Sequence, residues 1–119
     1  VLSGVFDKYP NLKIIIGHFG EGLPFLLWRI DMGFARGGRG GKGFREVFCE
    51  HFYVTTSGFF SDAALVHCMM EMGIDRIMFS VDYPFVENPP GTEWTRTLPL
   101  SPEDTEKLLN GNARRLLKL

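Results

Sequence analysis

Residues 13–22 read KIIIGHFGEG, an apolar run that ends abruptly at a glycine, a histidine and a carboxylate. Two more short apolar runs follow along the chain, at residues 52–56 (FYVTT) and 77–81 (IMFSV). None of the three alternates polar and apolar residues cleanly, which is typical of strands covered on both faces in a parallel sheet. The three runs therefore predict three buried, parallel strands.

Helical patterns separate the predicted strands. Pro24 suits the first turn of a helix, and apolar residues recur from there to Phe34. A shorter helix from Phe44 leads into the second strand, and Ser61 predicts the start of a third helix that ends before Gly73. Strands that alternate with helices indicate βαβ units, so the predicted fold class is α/β.

The last third of the chain reads differently. Residues 85–99 are rich in proline and glycine and predict an irregular loop. Ser101 and Pro102 then predict a helix start, and the Asn110-Gly111-Asn112 sequence predicts a break before a final helix.

Composition and charge exclude several classes of protein. The chain has 119 residues, and its 13 Lys+Arg against 14 Asp+Glu leave no basic excess for a nucleic-acid partner. No apolar run approaches the roughly 18 residues that a membrane span needs. Cys49 and Cys68 fit reduced, buried thiols, so we expect a cytoplasmic protein without a membrane or nucleic-acid partner. The chain does not begin with Met, which is compatible with a piece of a longer protein.

Chemistry-bearing side chains follow each predicted strand. His18 and Glu21 follow the first strand, the hydroxyls of Thr55, Thr56 and Ser57 close the second, and Asp82 follows the third. Reactive groups of parallel α/β folds gather past the carboxyl ends of the strands. The position of His18 favours a functional role. Alone, Glu21 reads better as an acid that stabilises a helix start, Asp82 as a turn former, and the hydroxyls as satisfied strand ends.

The glycine-rich residues 35–43 (ARGGRGGKG) carry the cations Arg36, Arg39 and Lys42. They match neither a phosphate-binding G-x-x-x-x-G-K-[ST] loop nor a dinucleotide-binding G-x-G-x-x-G turn. A solvated loop is the better interpretation, and a nucleotide-binding domain is a distant alternative.

Four stretches of the chain carry a family resemblance. They are IIIGHFGEGLPFLLWRID at 14–31, HFYVTTSG at 51–58, DRIMFSVDYPFVEN at 75–88 and GNARRLLKL at 111–119. In this order and spacing they resemble the C-terminal part of the amidohydrolase-related family of metal-dependent TIM-barrel enzymes. Within it they are most similar to the dihydroxybenzoate (resorcylate) decarboxylases.

The resemblance implies roles for three residues. Asp82 matches a metal-ligating aspartate that also takes part in protonating the substrate's ring carbon. His18 matches the catalytic histidine, and Glu21 matches the acid that hydrogen-bonds with it. Val86 is an insertion relative to the family pattern, so Glu87 and Asn88 receive no site role.

The resemblance also implies an architecture and a reaction. Residues 1–119 would form the C-terminal portion of a (β/α)8 barrel, their three strands matching strands six to eight. The activity would be non-oxidative decarboxylation of a small hydroxylated aromatic acid, with a divalent zinc or manganese ion, in a homo-oligomer. The family's other metal ligands, an acid-x-His motif and a further histidine, are not in this sequence.

Two alternatives remain open. The same kind of site could activate water and hydrolyse a lactone, ester or amide. The chain could instead be a catalytically incomplete fragment that self-associates through its sheet edges and through the apolar residues Phe25, Leu26 and Phe34.

Overall fold

A computed structural model describes residues 1–36 and 41–119 of the chain. Its sheet contains three strands, β1 (Ile14–Ile16), β2 (Phe52–Thr55) and β3 (Ile77–Met78). They lie in the order β1-β2-β3, and both pairs are parallel. The predicted parallel α/β sheet is confirmed. Arg39 lies outside the described residues, and so does the centre of the glycine-rich stretch.

Helices connect and cover the strands. Helix α1 (Val5–Lys8) and the short turn α2 (His18–Glu21) flank β1. The remaining elements, in chain order, are α3 (Leu23–Arg36), α4 (Phe44–His51), α5 (Asp62–Met72), a 3₁₀ turn (Ile74–Arg76), α6 (Asn88–Thr95), α7 (Pro102–Glu106), a π-helical turn (Lys107–Gly111) and α8 (Asn112–Leu117).

The caps predicted from the sequence are present. The Ser61 hydroxyl accepts a hydrogen bond from the backbone N–H of Ala64 at 3.3 Å, and the Ser101 hydroxyl accepts one from Asp104 at 3.1 Å. Gly73 follows α5 with φ +81°, a conformation that side-chain-bearing residues avoid. The helix starts predicted at Ser61 and Ser101 and the helix end predicted at Gly73 are therefore confirmed.

Three sequence-based expectations about local structure are wrong. Residues 85–99 are not wholly irregular, because Asn88–Thr95 form a helix with proline in its first turn. Gly111 does not break the C-terminal helix: its backbone is right-handed helical, and the π-helical turn runs through it into α8. The third strand pairs only at Ile77 and Met78, three residues fewer than its apolar run.

The core lies between the sheet and the helices on one side of it. Val54 and Ile77 are fully buried and mark the sheet face that contacts this core, whereas Ile15 is half exposed. The buried residues of the cluster are Phe19, Leu27, Phe48, Val54, Leu65, Cys68, Met72, Ile77 and Leu108. Among the described residues, no helix is both long and apolar enough to cross a membrane.

The C-terminal segment contacts the outer edge of β3. The backbone N–H of Phe79 donates to the Leu108 carbonyl at 2.9 Å, and the Asn112 side chain donates to the Ile77 carbonyl at 2.7 Å. The opposite edge of the sheet belongs to β1, which pairs with β2 on its other side. The C-terminal helices therefore fix β3, the strand that leads to Asp82.

Candidate active site

His18 sits on a sharp backbone turn immediately after β1. Its φ is +47°, and Gly17, just before it, contributes no side chain to the crowded strand end. The turn points the imidazole Nδ1 at Glu21, whose Oε1 lies 2.7 Å away. Both side chains are substantially exposed, so the pair faces solvent in this structure.

Asp82 occupies the matching position after β3. Its φ is +74°, and its carbonyl accepts hydrogen bonds from the N–H groups of Phe85 at 2.8 Å and Val86 at 3.1 Å. Its Oδ2 lies 3.5 Å from Nε2 of His18. Residues from two different strand ends, with β2 between them, thus meet through their side chains.

Backbone strain concentrates at this edge of the sheet. Among the described residues other than glycine, five of the six with positive φ lie past the strand ends, and the sixth is Lys118 near the C-terminus. Such conformations cost about 1–3 kcal/mol each and tend to cluster at functional sites. The five residues are His18, Phe19, Glu21, Ser57 and Asp82.

The two carboxylates change the proton affinity of the imidazole. The hydrogen bond to Glu21 is the main cause that raises the pKa of His18 above 6.5, and Asp82 adds to it. Partial desolvation acts in the opposite direction but does not cancel this effect. The imidazolium form can donate from both ring nitrogens, one toward each carboxylate, whereas the neutral ring can donate from one only.

The donor set fits part of a metal site. A carboxylate and an imidazole are ligands that manganese and zinc accept. Catalytic zinc sites generally use three protein ligands. Within residues 1–36 and 41–119, no group of three or more His, Cys, Asp or Glu side chains could hold a metal ion. In the part of the chain that the structure describes, His18 and Asp82 thus bring together two possible donors, fewer than such a zinc site uses.

An apolar cleft of about 360 Å³ opens beside His18. Phe19, Phe25 and Phe59 line it, and Cys68 lies at its wall. His67 also lines the cleft, and its Nε2 atom is buried without a hydrogen-bond partner among the described residues. A flat aromatic ring is the kind of ligand that such walls accommodate.

Sequence reasoning missed the cleft and one hydroxyl. Phe59 follows the second strand by a few residues, and this position near a strand end is the feature of the sequence that could have indicated a role in the cleft. Ser80 lies within the third apolar run, and only the structure shows that its hydroxyl contacts Ser57 at 3.2 Å. Thr56 follows the expected structural role: it is fully buried, and its hydroxyl bonds the backbone of Ser80.

Histidine and cysteine residues elsewhere are structural. His51 is buried, stacks on Phe6 with ring centroids 4.2 Å apart, and bonds the Leu12 carbonyl at 2.9 Å. Cys49 and Cys68 are free thiols, and burial raises the pKa of both. Raised pKa values suppress the thiolate, so neither cysteine is arranged as a nucleophile.

Comparison with known proteins gives a consistent result. The amidohydrolase family model matches residues 1–119. A gamma-resorcylate decarboxylase from Polaromonas sp. strain JS666 is 44% identical, over 98% of this chain and 37% of its own length. This chain thus spans less than two fifths of the curated relatives it matches.

Solved structures agree with the sequence comparison. A 2,6-dihydroxybenzoate decarboxylase complexed with 2,6-dihydroxybenzoate matches with a TM-score of 0.91 and 41% identity, over 98% of this chain and 38% of the other. A dihydroxybenzoic acid decarboxylase from Polaromonas sp. JS666, with bound manganese and the inhibitor 2-nitroresorcinol, matches with a TM-score of 0.91 and 43% identity, over 98% and 37%. The fold is that of a segment of these TIM-barrel enzymes.

Proposed function

Because the chain belongs to the amidohydrolase family, we propose that residues 1–119 are the C-terminal portion of a metal-dependent barrel enzyme. Its reaction is the non-oxidative decarboxylation of a hydroxylated aromatic acid. The decarboxylase relatives and the aromatic acid bound in one matching structure support this substrate class.

The observation that carries the proposal is the 3.5 Å approach of His18 Nε2 to Asp82 Oδ2 at the ends of two different strands. In this proposal, Asp82 ligates the metal and delivers a proton to the ring carbon that bears the carboxylate. His18 relays the proton to Asp82, and Glu21 holds the imidazole through Nδ1. When bound, a divalent manganese or zinc ion supplies positive charge for the carboxylate and the adjacent phenolate.

The proton and electron balance of this reaction is simple. A proton from the Asp82–His18 pair forms a new C–H bond at the ring carbon, which loses aromaticity. The bond to the carboxylate then breaks, carbon dioxide leaves, and the bonding electrons restore the aromatic ring. The proposal needs no oxidant or reductant.

The remaining strands and ligands belong, in this proposal, to the rest of the protein. Strands β1 to β3 correspond to barrel strands six to eight, so a fifth strand would pair with the free edge of β1. The half-exposed Ile15 on the sheet face opposite the helices would then lie inside the barrel. The missing metal ligands would come from the first and fifth strands.

Exposed apolar residues on α3 support self-association of the complete protein. Phe25 is 75% exposed and Trp28 is 66% exposed, far more than large apolar side chains usually are. We therefore include a homo-oligomer in the proposal. The same face favours the second candidate, a catalytically incomplete fragment that associates with itself.

The test uses the complete protein that contains this chain, loaded with manganese. Asp82→Asn keeps the shape of the side chain but removes its charge, and we expect both manganese retention and carbon dioxide release from 2,6-dihydroxybenzoate to fall to background. Glu87→Gln removes an exposed carboxylate on the same loop and should change neither.

Three results would contradict the proposal. Wild-type turnover in Asp82→Asn would remove Asp82 from the site. Hydrolysis of lactones, esters or amides without carbon dioxide release would favour the hydrolase alternative. A complete protein that neither binds manganese nor turns over would favour the self-associating fragment.

A further inference from the structure

Three hydroxyl groups form a continuous chain at the carboxyl ends of β2 and β3. Oγ1 of Thr55 lies 2.8 Å from Oγ of Ser57, which lies 3.2 Å from Oγ of Ser80. The backbone N–H of Ser57 also donates to the Ser80 hydroxyl at 3.0 Å. The two strand ends are therefore joined by side chains in addition to their backbone, whose last hydrogen bond runs from the Gly58 N–H to the Ser80 carbonyl at 3.4 Å.

This hydroxyl chain lies on the face of the sheet that is opposite the helices. Val54 and Ile77 point into the helix-covered core, and side chains alternate along a strand, so Thr55 and Ser80 point the other way. Ser57 contacts both of them and must lie on the same face. In the proposed barrel, that face is the interior.

The chain of hydroxyls also lies between the two principal site residues. A Cβ atom on Gly17, the residue before His18, would be 2.9 Å from Oγ of Ser57. At the other end, Ser80 precedes Asp82 by two residues. The three hydroxyls consequently form a polar surface beneath the place where His18 and Asp82 meet; we call Thr55, Ser57 and Ser80 the hydroxyl floor.

The hydroxyl floor has one O–H hydrogen that is not used within the floor. Three O–H groups are joined by two contacts, and each contact uses one hydrogen, so one hydroxyl hydrogen is left over in every arrangement. The described residues offer no further acceptor to these three side chains. Thr56 differs, because its hydroxyl donates to the Ser80 carbonyl and accepts from the Ser80 N–H.

We infer that the hydroxyl floor binds the substrate of the proposed function, donating its spare hydrogen bond to an anionic oxygen of the aromatic acid. Hydroxyl donors suit a carboxylate or phenolate oxygen, and a hydrogen bond to a charged group is stronger than one between neutral groups. The φ of +43° at Ser57 fits this role, since strained backbone often accompanies a side chain held for function.

The experiment uses the complete, manganese-loaded protein and two hydroxyl-deletion variants. Ser57→Ala removes the central hydroxyl. Ser57→Gly removes it too and also relieves the backbone strain, so the glycine variant should fold even if the strain prevents the alanine variant from folding. We expect both variants to raise the KM for 2,6-dihydroxybenzoate and the Kd for 2-nitroresorcinol by roughly tenfold to a hundredfold. The Tm and the bound manganese should stay as in wild type.

Two control variants separate binding from structure. Thr56→Val removes the buried hydroxyl that bonds only the backbone, so it should lower the Tm while the folded protein keeps its KM. Thr97→Val removes an exposed hydroxyl that bonds the Trp94 carbonyl, and it should bind 2-nitroresorcinol as wild type does.

The outcomes distinguish this inference from the proposed function. If wild type releases carbon dioxide but the Ser57 variants keep its KM and Kd, the hydroxyl floor has no binding role. If the Ser57 variants raise the KM only together with a loss of Tm like that of Thr56→Val, the effect is structural, and the inference is overturned as well. If wild type binds 2-nitroresorcinol but releases no carbon dioxide, only the proposed reaction fails. If wild type does neither, both fail.

Discussion

Nε2 of His18 lies 3.5 Å from Oδ2 of Asp82, although the two residues follow strands that do not pair with each other. The parallel sheet makes this approach possible, because it brings the carboxyl ends of all three strands to one edge. The Glu21 carboxylate holds the other nitrogen of the same ring. The imidazole is thus positioned between two acids contributed by both outer strand ends.

This arrangement predicts a pH-dependent stability. Folding raises the pKa of His18, mainly through Glu21, so the protonated imidazole is favoured in the folded state. The resulting stabilisation is fully present below pH 6.5 and is lost as the pH rises through the folded-state pKa. In the metal-free protein, Glu21→Gln should lower the His18 pKa in an NMR titration.

The stability of the same variant provides a second check. Its deficit in free energy of unfolding relative to wild type should shrink as the pH is raised past the folded-state pKa. Glu93→Gln removes an exposed carboxylate that pairs with Arg96, and it should leave the His18 titration unchanged. A His18 pKa that is identical in wild type and Glu21→Gln would contradict the assignment.

Asn112 should be essential for stability. Its fully buried amide donates to the carbonyls of Ile74 and Ile77, both at 2.7 Å, and so ties α8 to β3. Asn112→Ala leaves two carbonyls unsatisfied, and we expect a loss of about 1–3 kcal/mol in the free energy of unfolding, measured with urea. Asn110→Ala, at an exposed position nearby, should cost less than about 0.5 kcal/mol. Equal losses would show that the buried bonds contribute nothing.

Asp31 should stabilise the start of α4. The helix begins after Gly43, which has no capping side chain, and Oδ1 of Asp31 accepts a hydrogen bond from the Arg45 N–H at 3.2 Å instead. Asp31→Ala should lower the free energy of unfolding by about 1 kcal/mol, whereas Asp31→Asn retains an acceptor and should lose less. Urea unfolding of both variants checks this, and an Asp31→Asn variant as unstable as Asp31→Ala would argue against capping.

Cys68 should be inert in the folded protein. It is 2% exposed, and burial raises its pKa to about 11, so almost no thiolate exists at pH 8. In a Cys49→Ser background, a thiol reagent should modify Cys68 only after unfolding. Cys49 is partly exposed and should react faster in a Cys68→Ser background. Rapid modification of Cys68 in the native protein would contradict the burial.

The sheet, and the meeting of His18 with Asp82 at its edge, could be predicted because their signals are local. An apolar run followed by a glycine and a polar residue is visible in the sequence, and the parallel topology follows from the intervening helices. Ser61 and Ser101 predict helix starts in the same way, since an N-cap contacts the N–H of the third residue after it.

The wrong predictions depend on contacts between distant parts of the chain. The regular pairing of the third strand ends early because the Thr56 hydroxyl accepts from the Ser80 N–H and shares the Ser80 carbonyl with the Gly58 N–H. Gly111 stays helical because the Asn112 side chain is hydrogen-bonded to β3, which holds the next helical turn in place directly after Gly111. Neither contact can be read from residue spacing, and the same applies to the link between Ser57 and Ser80.

The positive φ angles of His18 and Asp82 also bear on how this protein can be altered. At such positions glycine relaxes the backbone, so replacing either residue by glycine should recover part of this strain while it removes the side chain that the proposed reaction uses. Selection for a relaxed backbone would therefore act against the very positions on which the proposed activity depends, and a library of this protein needs an activity readout beside a stability readout.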